Sequence, residues 1–369
     1  MSENQRPVLK KFRIENFTSI EKAEVNLSPL TVFIGPNNSG KTNFFRALAW
    51  FSQQVSGNQV SPFFEKTQHE GYGRYFYKFD TDKSISLGCC YKQGGSHVDY
   101  ELEINTAGLA REKIEGEGIT KKEERHQPPK PQLESADITN PASPIREREF
   151  RAYFQGLRYF SLRPQTISYP NNVFVTPQIT FSGENVTATL DSLKGENPDT
   201  FDKIEKELRN CVPEVERIIL KTVSNSVKQL EIKEKTCDKP FVGSEVSEGI
   251  LLFITLLTII HQPNPPKILC LEKPEQHIHP KRLRAVVDYL TDLAYHVPEP
   301  VQILISTHSP YLLNYFKNRA AEVVIVEKQE GKTTFTPLRE HEYLLEDKRD
   351  KLSLGELWFS GLIGGVPRP

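Results

Sequence analysis

The sequence predicts an α/β fold: a mostly parallel, helix-flanked core sheet with an antiparallel β lobe towards the amino terminus. Three observations predict it. Strands and helices alternate through the carboxyl-terminal half, the pattern of a parallel sheet. An apolar run, Leu30 to Ile34, leads through a glycine-bearing loop into a helical stretch. Between residues 75 and 118, short alternating segments are separated by turn residues, as in antiparallel strands.

Taken in order, residues 8 to 34 alternate in strand fashion through Phe12, Ile14, Phe17, Ile20, Val25 and Leu27. They end in the continuous run Leu30-Thr31-Val32-Phe33-Ile34, which suits a strand buried on both faces. From Lys41 to Val55, Phe44, Phe45, Leu48 and Phe51 fall at helical spacing. Strands are expected at Ile85 to Tyr91, Val98 to Ile104 and Leu109 to Ile114, with turns at Gly94-Gly95 and Asn105-Thr106. The stretch Lys121 to Pro144 is polar and carries Pro128, Pro129, Pro131, Pro141 and Pro144. It reads as a linker or an insertion.

Beyond it the pattern gives a strand over Gly156 to Leu162, a helix over Asp199 to Arg209 and strands over Val215 to Ile232. An apolar helix follows around Ile250 to Ile260. Then come a strand at Ile268 to Leu271, a helix from Pro280 to Tyr295 and a strand at Ile303 to Ile305. The last expected strands are Val323 to Glu327 and Lys332 to Leu338.

Composition narrows the class. The chain has 369 residues, 37% hydrophobic and 26% charged. This is a globular mixture able to bury a core, and it excludes a disordered or fibrous chain. A net charge of -1 excludes a globally basic nucleic-acid coat. The Ile250 run is too short for a bilayer, which takes about 20 residues. The opening residues carry charge but no apolar signal core. Five cysteines, without a CxxC pair, read as reduced thiols. The expected setting is cytoplasmic, with no membrane.

The chemistry concentrates in four places. Gly35-Pro36-Asn37-Asn38-Ser39-Gly40-Lys41-Thr42 fits G-x-x-x-x-G-K-[ST], between a strand and a helix as the motif requires. Its backbone N–H groups can cradle phosphates at a helix start. Lys41 supplies a charge to the β- and γ-phosphates, and the Thr42 hydroxyl a ligand for Mg²⁺. The second place is the strand ending in Glu272-Lys273-Pro274-Glu275. Spacing leaves Glu272 open as a solvated strand end or a magnesium-holding carboxylate. The third is Ser306-Thr307-His308-Ser309-Pro310, also past a buried strand. A lone histidine is usually structural, but this position suits a γ-phosphate or an attacking water. The fourth is Ser247-Glu248-Gly249, opening the apolar helix. It reads equally as a plain N-cap or as a second anion site.

Together these residues resemble the ATPases of the SMC/RecF/ABC class, and most closely the AAA-type ATPases related to the OLD family. The likeness runs from KKFRIENFTSIEKAEVNLSPLTVFIGPNNSGKTN through Ser182 to Leu190, Ser247-Glu248-Gly249, Glu272-x-Pro-Glu and Ser-Thr-His-Ser-Pro to Leu354-Gly-Glu-Leu-Trp358. It implies ATP and Mg²⁺ as ligands. Lys41 and Thr42 become the phosphate and magnesium residues, and Glu272 the magnesium-side acid. Ser247, Glu248 and Gly249 become a signature that completes the site of a facing subunit, and His308 the switch histidine. Gln165, after the strand containing Tyr159 to Ser161, is the candidate for the metal-contacting glutamine of the Q-loop. The implied assembly is a homodimer across the ATP sites, coupled to DNA or an effector protein in DNA repair or phage defence.

One departure matters. The family's second acid, taken as the general base, is here Lys273. A protonated lysine beside phosphates cannot accept a proton. Hydrolysis, or a clamp that binds ATP and hydrolyses it very slowly, both follow from this sequence. OLD-type nucleases also carry a Toprim domain of metal-binding acids. The roughly 60 residues after His308, with Glu340-His341-Glu342 and Glu346-Asp347, are few for such a domain, so no nuclease is expected. Basic residues cluster at Lys10, Lys11 and Arg13 and at Arg146, Arg148 and Arg151, and such clusters are most often solvated. Phosphate loop and partner motifs stand at opposite ends of the sequence. Residues 1–369 are therefore expected to form one ATPase head, with a β-rich region at 75–118 and a proline-rich insertion at 121–144.

Overall fold

A computed structural model of the chain describes residues 6–56, 73–106, 108–116, 119–130, 145–173, 178–276, 278–341 and 352–366. It divides into two compact units. One comprises Met1–Tyr159, Lys267–Cys270 and Tyr289–Pro369; the other comprises Phe160–Pro266 and Leu271–Asp288. Among the described residues, no helix is long and apolar enough to cross a membrane.

The first unit opens with strands β1 (Val8–Phe17), β2 (Ile20–Asn26) and β3 (Leu30–Ile34), followed by helix α1 (Lys41–Ser56). Then come β4 (Ile85–Gln93), β5 (Ser96–Asn105), β6 (Gly108–Gly116) and β7 (Ile119–Lys130). These last four extend β1 and β2 into an antiparallel sheet of order β2-β1-β4-β5-β6-β7. Helix α2 (Ile145–Gln155) leads to strand β8 (Leu157–Phe160). The antiparallel sheet, α1 and α2 enclose an aromatic core. Phe12 packs edge-on against Phe44 and Phe51 at 5.6 and 5.5 Å, and Phe51 against Phe154 at 5.1 Å. All four rings are fully buried. Each such burial contributes roughly 1.5–3 kcal/mol, which welds the lobe to the helix behind the phosphate loop.

The expected linker over 121–144 is corrected in its first part. Residues 119–130 form β7, an edge strand on β6. Its register jumps: Arg111 faces Arg125, whereas Leu109 faces Lys130. Pro128 and Pro129 fall in that irregularity, where an edge strand tolerates residues without an N–H donor. Residues 131–144 lie outside the described residues.

The second unit carries α3 (Pro164–Ile167), β9 (Asn171–Asn172), α4 (Val186–Glu196), α5 (Pro198–Cys211), β10 (Val215–Ser224), β11 (Val227–Glu234), β12 (Phe241–Val242) and α6 (Glu248–His261). Strands β10, β11 and β12 pair in that order, with β9 also on β11. Helix α6 is buried from Ile250 to Ile260, as befits a helix that is apolar all round. Its two threonines satisfy their hydroxyls on the preceding turn: Thr255 donates to Leu251 O and Thr258 to Ile254 O.

The core sheet has the order β16-β15-β3-β14-β13-β8. Its remaining members are β13 (Ile268–Glu272), β14 (Gln302–Thr307), β15 (Val323–Gln329) and β16 (Lys332–Pro337). Helix α7 (Pro280–Tyr295) precedes β14, α8 (Pro310–Leu313) follows it, and α9 (Leu354–Phe359) is the last helix among the described residues. Strand β3 runs parallel to both neighbours, β14 and β15, whereas β16 returns antiparallel on β15. Every residue of β3 and of β14 is buried, which is why neither shows strand alternation.

Candidate functional site

The phosphate loop leaves β3 at Gly35 and enters α1 at Lys41. Two glycines shape it for different reasons. A Cβ at Gly35 would stand 2.1 Å from the Val326 carbonyl of β15. Gly40 has φ +107° and presses on Thr333, whose Oγ1 an added Cβ would meet at 2.3 Å. Asn38 also takes the left-handed region, at φ +63°, which asparagine tolerates better than most residues. Lys41 is 5% exposed. Its ammonium donates to Gly35 O and Pro36 O at 2.8 Å each, and to Ser39 Oγ at 3.1 Å. The charge is thus fixed in the bowl of the loop rather than free at a tip.

His308 joins this group through strand register. Thr307 of β14 pairs with Ile34 of β3, so the next residue on each strand, His308 and Gly35, come level. His308 Nδ1 lies 2.6 Å from Gly35 O. A carbonyl only accepts, so Nδ1 carries the proton. In the neutral ring Nε2 then keeps the lone pair. Lys41 Nζ stands 3.4 Å from the same Nδ1, alongside it rather than bonded to a lone pair. The hydroxyls of the Ser-Thr-His-Ser-Pro string shape the chain. Thr307 Oγ1 accepts from Ser309 N, and Ser309 Oγ caps α8 by accepting from Leu312 N. The Leu354-Gly-Glu-Leu-Trp358 segment seats on α8: a Cβ at Gly355 would strike Pro310 O at 2.4 Å.

The second unit brings together another pair. Ser247 takes the N-cap position of α6, but its side chain makes no capping hydrogen bond. Glu248 is the first helical residue, and Gln165 Nε2 donates to its Oε1 at 2.7 Å. The glutamine and the signature-like triplet are thereby one cluster, with Gly249 next in the helix. Glu272 is the last residue of β13. Lys273 follows at φ +49°, in a conformation costly for a long side chain. The turn continues with Gln276 N donating to Lys273 O and Ile278 N to Glu275 O. Thr42 and Glu272 offer hard oxygen donors of the kind Mg²⁺ takes.

Two residues that the sequence did not single out support the loop: Ser19, in the β1–β2 turn, and Thr333, on β16. Thr333 Oγ1 donates to Ser39 O at 2.9 Å. Ser19 lies within the amino-terminal stretch of the likeness but carries no role there, Thr333 lies in no motif, and only the pairing of the β1–β2 turn with β16 reveals them. Half of the basic cluster residues, by contrast, are held in ion pairs. Lys11 pairs with Glu24 at 2.6 Å and Arg13 with Asp99 at 3.1 Å. Arg151 is buried between Glu112 and Glu147. The side chain of Arg146 and residues Glu342, Glu346 and Asp347 lie outside the described set.

Comparison with known proteins identifies the family and the fold. The family described as "AAA domain, putative AbiEii toxin, Type IV TA system" matches residues 30–314. An "OLD nuclease" of Thermus scotoductus is 22% identical over 388 residues, covering 94% of this chain and 68% of that protein. A protein of Methanocaldococcus jannaschii, "Uncharacterized protein MJECL44", is 33% identical over 84 residues, 20% of this chain and 25% of its own length. The "SMC head domain from Thermotoga maritima" superposes on 89% of this chain and 98% of its own, with a TM-score of 0.50 and 13% identity. At that identity the likeness speaks for the fold.

Proposed function

The chain belongs to this AAA family, within the SMC/OLD class of ATPases, and on that premise we propose that it binds MgATP at Gly35–Thr42 and hydrolyses it. Residues 1–369 act as one ATPase head, and two heads close as a homodimer when ATP is bound. The observation that carries the reading is the Lys41 ammonium, held by Gly35 O, Pro36 O and Ser39 Oγ with His308 on the same carbonyl.

Each residue has a role in this reading. Loop N–H groups and Lys41 bind the phosphates, and fixed donors of this kind stabilise the transferring group without reorganising. Thr42 and Glu272 hold Mg²⁺, with Gln165 as a further metal contact. The ion supplies charge neutralisation at the phosphate oxygens. His308, oriented by Gly35 O, meets the γ-phosphate or its water. Ser247, Glu248 and Gly249 contact the nucleotide of the facing subunit. The head works in the cytoplasm, in DNA repair or phage defence, and it is coupled to an effector protein or to DNA. The ion pairs on Lys11, Arg13 and Arg151 favour the effector protein.

A second reading rests on Lys273, which stands where a general base is expected. The chain is then an ATP-gated clamp with little hydrolysis. Losing a positioned base typically removes about 10²–10⁴-fold of rate. One assay separates the two readings: steady-state ATP turnover of wild type, Lys41→Ala and Lys273→Glu. The ATPase reading expects wild-type turnover that Lys41→Ala abolishes. A silent wild type with an active Lys273→Glu variant favours the clamp. Silence in all three, with no MgATP binding by the wild type, removes both.

A further inference from the structure

The phosphate loop is braced from beneath by a directed chain of hydrogen bonds. Its last link is the donation from Thr333 Oγ1 to Ser39 O at 2.9 Å. Thr333 has spent its one hydroxyl proton there, so the 2.7 Å contact between Ser19 Oγ and Thr333 Oγ1 has Ser19 as donor. Ser19 Oγ in turn accepts from Asn43 Nδ2 at 2.8 Å. The direction is therefore Asn43 to Ser19 to Thr333 to Ser39. Ser39 and Thr333 are at most 2% exposed, and Ser19 is 9% exposed.

Several observations place this chain at the loop rather than merely near it. Thr333 N donates to Ser19 O at 2.8 Å, a backbone bond that ties the β1–β2 turn to β16. An exposed ion pair, Lys332 to Glu21, lies beside it. Thr333 also fills the space that a Cβ on Gly40 would need. Ser39 is the node: Thr333 holds its carbonyl, and its own hydroxyl accepts from Lys41 Nζ at 3.1 Å. Asn43 closes the circuit from the first turn of α1, next to Thr42.

We propose that Thr333 and Ser19 are positioning residues for the nucleotide site, which set the Ser39 peptide and through it the Lys41 ammonium. This inference rests on the ATP-binding reading. A buried carbonyl that loses its donor costs enough to favour a rearranged loop, and Lys41 would then leave its present place.

The test is MgATP affinity, measured by calorimetry or with a fluorescent nucleotide, beside the melting temperature without nucleotide. The proteins are wild type, Lys41→Ala, Thr333→Val, Thr333→Ser and Ser19→Ala. Thr333→Val keeps the shape and removes the hydroxyl. It is expected to weaken MgATP binding about tenfold, the factor that corresponds to one unmade buried hydrogen bond. Thr333→Ser retains the donor and is expected to restore affinity to within about twofold of wild type. Ser19→Ala, which leaves the Thr333 donation in place, is expected to lie between them. Thr333→Val at wild-type affinity, or a melting temperature that falls while affinity stays level, overturns the proposal. If Thr333→Val does not fold, Ser19→Ala decides: wild-type affinity there overturns the proposal, and weakened affinity sustains it. A wild type that does not bind MgATP instead removes the ATP-binding reading itself, a result distinct from an intact wild type with an indifferent Thr333.

Discussion

Gly35 and Gly195 show how one substitution changes sign with its surroundings. A Cβ at Gly35 would lie 2.1 Å from a backbone carbonyl of β15, that of the fully buried Val326, and a main-chain atom cannot swing aside as a side chain can. At Gly195, in α4, a Cβ meets nothing within 4 Å. Gly35→Ala is expected to destabilise the protein by about 1–3 kcal/mol through overpacking. Gly195→Ala is expected to stabilise it by about 0.5–1 kcal/mol through helix propensity. Urea denaturation of the two variants checks both signs, and equal midpoints would refute the contrast. At this scale the motif was legible in the sequence, because the loop chemistry fixes residue types at fixed spacing. Ser19 and Thr333 were not, because their role depends on a turn and a strand residue 314 positions apart meeting at one hydroxyl pair.

Among the elements, boundaries were most legible where burial was complete. β3 and the Ile250–Ile260 run of α6 are buried at every residue, and the amphipathic helix α7 also fits its expected span, Pro280–Tyr295. The polar elements hid. Strand β7 looked like a linker because an edge strand keeps few apolar residues and admits proline. Helix α9 is six residues long, too short for periodicity to reveal. Its signal was a capping box. Ser353 Oγ accepts from Glu356 N, and Glu356 returns a carboxylate to Ser353 N. The Ser353 backbone N–H, and after it the Ser353 hydroxyl, hold the Glu356 carboxyl below its ordinary pKa. The stabilisation is therefore present above the unfolded carboxylate pKa and lost as pH falls through the lower, folded value. Ser353→Ala is expected to cost about 1 kcal/mol, read as a lowered melting temperature at pH 7. Glu356→Ala, which removes the carboxylate partner of the Ser353 N–H, is expected to cost less in acid than at pH 7, and a pH-independent loss would rule out that bond as its source.

On the scale of the whole molecule, the described side chains fall into two groups: Gly35, Ser39, Lys41 and His308 in the first unit, and Gln165 with Glu248 in the second. The proposed homodimer gives the second group its purpose, since a signature in one subunit completes the phosphate loop of the other. That arrangement is tested by mixing two inactive variants. Lys41→Ala lacks a phosphate residue, and Ser247→Arg blocks the opening of α6. In a mixed dimer, one site combines both defects. The other combines an intact phosphate loop from the Ser247→Arg subunit with an intact signature from the Lys41→Ala subunit. If sites are shared, mixing should restore turnover to at most about a quarter of wild type at equal concentrations, or in the clamp reading give an MgATP-dependent dimer that neither variant forms alone. Random pairing makes about half the dimers mixed, and each carries one working site out of two, by the closed two-fold symmetry of such an assembly. Independent sites instead give a mixture no more active than the sum of its parts. A molecular mass unchanged by MgATP at micromolar protein would remove the homodimer altogether and leave the signature cluster facing a different protein.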